Sequence, residues 1–140
     1  MIYVDTSVLV ALCTREPKSN DVADWYQSCK TKLISSAWAF TEFASALSIK
    51  ERTGQVNKKQ SHESWGVFQQ LCNTSIELLS IDNKNFYSAA ILTLDSSSKL
   101  RSADALHIAS AIQLKAEAIV TLDKTLARNS KRLKLKLLLV

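Results

Sequence analysis

Short apolar runs alternate along the chain with longer segments in which apolar residues recur every three or four positions. The short runs are typical of buried strands, and the longer segments of helices packed against a sheet. The predicted strands are 2–4, 33–34, 76–81, 118–122 and 135–140, and the predicted helices are 21–30, 37–51, 57–72, 83–94 and 103–116. This alternation predicts an α/β fold with a central, mostly parallel sheet that helices cover on both faces.

Four acidic residues interrupt these apolar segments. Asp5 ends the first predicted strand and Asp123 ends the fourth, whereas Asp104 begins an apolar helix. Glu42 lies inside the apolar segment 37–44, where an ionised carboxylate is costly to bury unless it is paired or bound to a metal. Sites in parallel sheets form beyond the carboxyl ends of the strands, which is where Asp5 and Asp123 are expected.

Each acid also has a purely structural interpretation. Asp5 can cap the turn after its strand, and Asp123 can cap a helix that starts at Lys124. Asp104 can complement the dipole of its helix, and Glu42 can extend to solvent along the polar side of its own helix. Capping is common, so none of these positions taken alone indicates a function.

A single cluster would account for all four acids together. Carboxylates that converge in one cleft repel one another, and a divalent cation relieves that repulsion. Oxygen ligands favour Mg²⁺ or Mn²⁺ over Zn²⁺. A metal of this kind, beside a basic region, suits the hydrolysis of phosphodiester bonds.

Composition and charge narrow the classes of function. The 140 residues are 46% apolar and 22% charged, which suits one globular domain over 1–140. Two glycines are too few for a GxGxxG or P-loop nucleotide site. The net charge is +5, and residues 124–140 contain no acid but carry Lys124, Arg128, Lys131, Arg132, Lys134 and Lys136. This basic end indicates contact with a polyanion or, alternatively, a solvated charged surface.

The cysteines and the hydropathy pattern suggest a cytoplasmic protein without a membrane segment. Cys13, Cys29 and Cys72 are odd in number and widely spaced, so we expect reduced, mostly buried thiols and no metal-binding pattern. No apolar run is long enough to span a bilayer, and the apolar segment 1–13 lacks the basic start of a signal peptide.

Four segments of the chain resemble the motifs of PIN-domain ribonucleases, in the order of that family. They are MIYVDTSVL at 1–9, TEFASAL at 41–47, LRSADALHIASA at 100–111 and VTLD at 120–123. The size and arrangement are most similar to the toxin component of VapBC toxin–antitoxin systems. Lys124 and Thr125 depart from the pattern, because family members often place a further acid at this point.

The resemblance implies an endoribonuclease that depends on Mg²⁺ or Mn²⁺. It implies that the catalytic, metal-binding residues are Asp5, Glu42, Asp104 and Asp123, and that the hydroxyls supporting them are Thr6, Ser7 and Thr121. Arg101 would either steady a substrate phosphate or pair with one of the acids.

The resemblance also implies an α/β/α architecture with sheet order 3-2-1-4-5. It implies a homodimer that acts on RNA and a cognate antitoxin protein that wraps the chain and blocks the acidic cleft. Two alternatives remain open at this stage. One is a PIN-like module that binds RNA or protein without catalysis, and the other is an RNA-processing nuclease that is not a toxin.

His107 follows Asp104 by three residues, on nearly the same helix face. A histidine could act as a general base, but a packed or partly exposed helix histidine is the favoured interpretation. Trp25, Trp38 and Trp65 have apolar neighbours at helical spacing, which favours core or interface positions over stacking on bases.

Overall fold

The computed structural model describes all 140 residues. The strands are β1 (Ile2–Val4), β2 (Leu33–Ser36), β3 (Ile76–Leu79), β4 (Ala118–Val120) and β5 (Leu137–Leu138). The helices are α1 (Thr6–Cys13), α2 (Ser19–Ser28), α3 (Trp38–Arg52), α4 (Lys58–Thr74), α5 (Asn83–Leu94), α6 (Ser102–Gln113) and α7 (Lys124–Arg132). A single 3₁₀ turn, Ser96–Ser98, lies between α5 and α6.

The five strands form one parallel sheet in the order β3-β2-β1-β4-β5, as predicted. β1 is the central strand, and Tyr3 pairs with Ile34 of β2 and with Ile119 of β4. The apolar carboxyl-terminal segment contributes β5, which pairs with β4 at the sheet edge. The carboxyl ends of β1 and β4 are therefore immediate neighbours, which brings the residues after them together.

Alternate side chains of the central strand enter two separate hydrophobic cores. Ile2 and Val4 face a core that includes Phe43 of α3 and Phe68 of α4. Tyr3 faces the opposite core, which contains residues from α5, α6 and α7. Successive side chains of a strand point to opposite faces, so a strand buried on both faces is apolar at every position.

The hydrophobic pattern predicts neither helix α1 nor helix α7, and α7 was expected only as a helix that Asp123 could cap. The sequence of α1, TSVLVALC, is apolar nearly all round and lacks the polar stripe of an amphipathic helix. Periodicity cannot distinguish a short run of this kind from a buried strand. Asp5 starts the helix by capping it, and the first core then buries the apolar residues.

The three cysteines form no disulfide, as predicted, with Cys13 buried and Cys29 and Cys72 half-buried. None of the seven helices combines the length and the apolar character that a bilayer-spanning segment requires.

Candidate active site

Asp5 and Asp123 lie side by side where β1 and β4 end. The backbone N–H of Asp5 donates to the carbonyl of Val120, the last residue of β4, at 3.1 Å. Each carboxylate also caps the helix that follows it: Asp5 accepts from Ser7 N at 3.3 Å, and Asp123 accepts from Leu126 N at 2.8 Å. The capping interpretation is thus confirmed, but a carboxylate has lone pairs left for a cation.

Two hydroxyl groups hold the Asp5 carboxylate. Ser7 Oγ and Thr121 Oγ1 both donate to Asp5 Oδ2, at 2.5 and 2.8 Å. Each hydroxyl oxygen also accepts a backbone N–H from the loop after β4, Ser7 from Leu122 at 2.9 Å and Thr121 from Asp123 at 3.0 Å. These bonds tie the start of α1 to the Asp123 loop and occupy one oxygen of Asp5, leaving Oδ1 on the other side.

Glu42 reaches the same region from α3. Its Oε2 accepts hydrogen bonds from Thr6 Oγ1 at 2.6 Å and from His107 Nε2 at 2.5 Å. The side chain is partly buried, with 23% of its surface exposed. Burial by itself raises the pKa of the Glu42 carboxyl, but the hydrogen bonds and charge of His107, with the bond from Thr6, bring it below its ordinary value. Glu42 is therefore ionised in the folded chain.

His107 of α6 lies beneath these carboxylates and is 1% exposed. Its Nε2 is 3.2 Å from Asp5 Oδ1, and its Nδ1 is 2.8 Å from the hydroxyl of Tyr3. Burial alone lowers the pKa of the imidazole, but Tyr3, Asp5 and Glu42 together raise it well above its ordinary value. The imidazole thus lies within hydrogen-bond distance of two carboxylates, Asp5 and Glu42.

Asp104 stands in the first turn of α6, with Oδ2 3.4 Å from the backbone N–H of Arg101. Burial and the negative charges of Asp123 and Asp5 raise the pKa of its carboxyl. The side chain of Arg101 is exposed and forms no ion pair, although its charge partly offsets this rise. The structure therefore does not show Arg101 paired with any of the acids.

The model of the PIN domain family matches residues 2–132. This chain belongs to the PIN domain family. The match covers all seven helices of the fold and, apart from Met1, all four motifs.

Several solved structures share this PIN fold. The chain is 11% identical to VapC20 of Mycobacterium tuberculosis, a toxin that cleaves the sarcin–ricin loop, with a TM-score of 0.73 and coverage of 92% of this chain and 95% of that one. It is 18% identical to FitAcB of Neisseria gonorrhoeae, with a TM-score of 0.68. That alignment covers 99% of this chain and 97% of the FitAcB chain. This chain is 20% identical to VapBC2 of Rickettsia felis, solved with promoter DNA, with a TM-score of 0.65 and coverage of 99% and 98%. At these identities, the likeness shows the fold alone.

No curated protein sequence matches this chain significantly.

The donor groups of this PIN domain suit a hard divalent cation. Asp5, Glu42 and His107 each offer one ligand atom, and these atoms lie within 4.8 Å of one another. Asp104 and Asp123 lie outside this compact group, but their charges act on each other across the cleft. The charges of Asp123 and Asp5 raise the pKa of the Asp104 carboxyl, a cation would relieve this repulsion, and carboxylate oxygens are preferred ligands of Mg²⁺ and Mn²⁺.

The contacts of His107 are the feature of the site that the sequence does not reveal. The favoured interpretation, a packed helix histidine, is correct about its burial. Its spacing from Asp104 places it near the site, but its partners Glu42, Asp5 and Tyr3 are 65, 102 and 104 residues away along the chain. No pattern close to His107 in the sequence indicates these contacts.

Proposed function

We propose that this chain is an endoribonuclease dependent on Mg²⁺ or Mn²⁺ that hydrolyses RNA phosphodiester bonds as the toxin of a type II toxin–antitoxin system. One observation carries the proposal: the ligand atoms of Asp5 and Glu42 lie within 4.8 Å of each other in a PIN domain, and the charges of Asp5 and Asp123 act on the Asp104 carboxyl. Helix capping alone does not account for this grouping.

In this proposal the metal is held by Asp5, Glu42, Asp104 and Asp123. Ser7 and Thr121 fix one oxygen of Asp5, and Thr6 fixes one oxygen of Glu42. A bound metal would activate water and neutralise the charge that develops on the phosphate. These four residues and three hydroxyls are the same groups that the PIN resemblance implies.

Positive charge beside the cleft supports a polyanionic substrate. Arg101 is exposed, forms no ion pair and lies one helical turn before Asp104. Lys124 is exposed and follows Asp123 directly. We propose that Arg101 contacts a phosphate of the substrate. Its guanidinium has no carboxylate partner in the chain and is therefore available to bind a phosphate.

We also propose two protein partners for the cytoplasmic toxin. VapBC-1 of Haemophilus influenzae and FitAB are solved structures with this fold, and they support a cognate antitoxin as one partner. The second partner is another copy of the chain. Exposed apolar residues on α5 and α6, among them Tyr87, Ile91, Leu94 and Ile112, form a face that a homodimer would cover. The mass of the purified chain in solution checks this second assignment.

The decisive experiment is cleavage of a fluorescent RNA panel with Mn²⁺, with and without EDTA. Wild type is compared with Asp5→Asn, which keeps a capping side chain but loses a metal-binding charge. The control is Asp24→Asn, an exposed acid on α2 without an ion pair. We expect metal-dependent cleavage by wild type and the control, and a loss of at least about 100-fold in Asp5→Asn. Cleavage by Asp5→Asn at the wild-type rate would contradict the assignment.

A second candidate function is an RNA- or protein-binding PIN module without catalysis. The observation in its favour is that Asp5 and Asp123 both cap helices, which gives them a role without a metal. Lys124 stands where PIN-domain members often have a further acid, and this also favours a module without catalysis. Binding of Mn²⁺ to the purified chain distinguishes the two, since caps alone do not bind the ion.

A further inference from the structure

The Nε2 atom of His107 is surrounded by hydrogen-bond acceptors. It lies 2.5 Å from Glu42 Oε2, 3.2 Å from Asp5 Oδ1 and 3.2 Å from Thr6 Oγ1. The Thr6 hydroxyl donates its own hydrogen to Glu42, so its oxygen can only accept from the ring. Nε2 must therefore carry a hydrogen and donate it, whichever state Nδ1 adopts.

A second hydrogen bond fixes the ring from behind. Nδ1 is 2.8 Å from the Tyr3 hydroxyl, which lies 2.9 Å from Ser36 Oγ. The rings of Tyr3 and His107 meet edge to face, with centroids 5.7 Å apart. Tyr3, Ser36 and His107 are all at most 1% exposed, and Tyr3 and Ser36 belong to neighbouring strands of the sheet. The imidazole is thus locked in one orientation by the rigid centre of the fold.

Glu42 is the acid that most needs such a support. Asp5 and Asp123 are short side chains that cap helices at strand ends, whereas Glu42 is a longer, partly exposed side chain of α3. Ordering a glutamate side chain costs more rotamer entropy than ordering a shorter aspartate. Without a donor at Nε2, the bond from the Thr6 hydroxyl is the one hydrogen bond that still restrains the carboxylate from turning toward solvent.

We propose that His107 is a positioning residue that holds the Glu42 carboxylate in the metal-binding arrangement through its Nε2–H. The inference rests on the proposed function, because it concerns the same carboxylate site. It assigns His107 to the support of a metal ligand and not to the ligand set. The bond is made to Oε2 of Glu42, the same oxygen that accepts from Thr6.

The first test measures Mn²⁺ binding to the RNA-free protein by the electron paramagnetic resonance signal of the free ion. His107→Leu removes the donor, and His107→Gln supplies an amide N–H near the position of Nε2. The matched control is His62→Gln, because His62 is exposed and is the only other histidine. We expect affinity about 10 to 100-fold weaker in His107→Leu, largely restored in His107→Gln and unchanged in His62→Gln.

The second test needs no variant, so it stands even if His107→Leu fails to fold. Nitrogen NMR of histidine-labelled wild type follows the His107 ring as Mg²⁺ is added, with His62 as an internal reference. We expect Nε2 to keep its hydrogen when the metal is bound. Loss of that hydrogen would overturn the proposal, because it would make His107 a ligand.

The two tests also separate this inference from the proposed function. Equal Mn²⁺ affinity in wild type and folded His107→Leu overturns the positioning role but leaves the metal site intact. A wild-type chain that binds no Mn²⁺ overturns the proposed function, and the positioning role together with it.

Discussion

At the scale of single residues, each of the four acids accepts a hydrogen bond from another group of the chain. Asp5 illustrates this point: Oδ2 accepts from Ser7 and Thr121, and Oδ1 faces His107. A helix cap and a metal ligand both require a carboxylate that is held in a fixed position, here at the start of a helix. The two interpretations of these acids are therefore compatible, and the cap serves to hold the ligand in place.

Asp104→Asn should stabilise the metal-free chain while it abolishes cleavage. The pKa of this carboxyl is raised in the folded state, by burial and by the charges of Asp123 and Asp5. The folded chain then holds the proton more tightly than the unfolded chain does. Stability therefore falls as pH rises from the ordinary carboxyl pKa to the raised one, and the full penalty is present above the raised pKa.

Thermal unfolding in EDTA at pH 7 checks this expectation. Removing the charge should raise the unfolding midpoint by a few degrees, at about 3 °C per kcal/mol for a chain of this size. Added Mg²⁺ should stabilise wild type more than the variant, since the variant lacks a ligand. If the unfolding midpoint of Asp104→Asn in EDTA lies below that of wild type, the charge of Asp104 does not destabilise the folded chain.

At the scale of elements, the packing of α3 against α4 determines where Glu42 points. Phe43, the next residue, is fully buried and stacks on Phe68 with ring centroids 4.1 Å apart and planes within 7°. Trp65 packs against both rings. At the far end of α3, the buried Lys50 forms an ion pair with Glu16. The helix is thus anchored on both sides of its carboxylate.

Phe68→Ala should lower the free energy of unfolding by about 3–5 kcal/mol, because it leaves a cavity against Phe43. Phe86→Ala is the matched control, since Phe86 is about half-exposed on α5. Its cost should be on the order of 1 kcal/mol. Urea unfolding of both variants measures the difference, and equal costs would mean that the aromatic stack does not anchor α3.

At the scale of the whole molecule, the basic carboxyl-terminal end has two different uses. Arg132 pairs with Asp95 at 2.5 Å, and Arg128 donates to the Ser98 carbonyl at 2.9 Å, so these residues fasten α7 to the 3₁₀ turn. Lys124, in contrast, has no ion pair and lies beside Asp123. The net charge of +5 therefore overstates the charge available to a nucleic acid.

Arg101→Gln, made in the inactive Asp5→Asn background, should weaken RNA binding and reduce its salt dependence. Each lost phosphate contact lowers the slope of log affinity against log salt by about 0.7 for a single strand. Lys58→Gln, an exposed change on α4, serves as the control and should leave the slope unchanged. Fluorescence anisotropy across a salt series gives both slopes. An unchanged slope in Arg101→Gln would remove this residue from the phosphate contacts.

The apolar pattern and the PIN motifs were enough to predict the α/β fold and its sheet order, and the acids that interrupt the pattern were visible as candidates. Apolar runs and helical spacing encode the alternation of strands and helices, and the PIN motifs agree with the observed sheet order. An acid that ends or interrupts an apolar run is visible without coordinates. Helix α1 was not predictable in this way, since it is apolar on every side and its burial replaces the usual periodic signal.

The tertiary structure alone decided which groups meet in the site. The approach of His107 to Glu42 depends on how α6 and α3 pack around the sheet, and no local pattern encodes a contact across 65 residues. The same packing sets Thr121 on Asp5, across 116 residues, and leaves Arg101 without an ion-pair partner. Hydrogen-bond geometry and charge coupling depend on distances of a few ångströms, which exist only after the chain has folded.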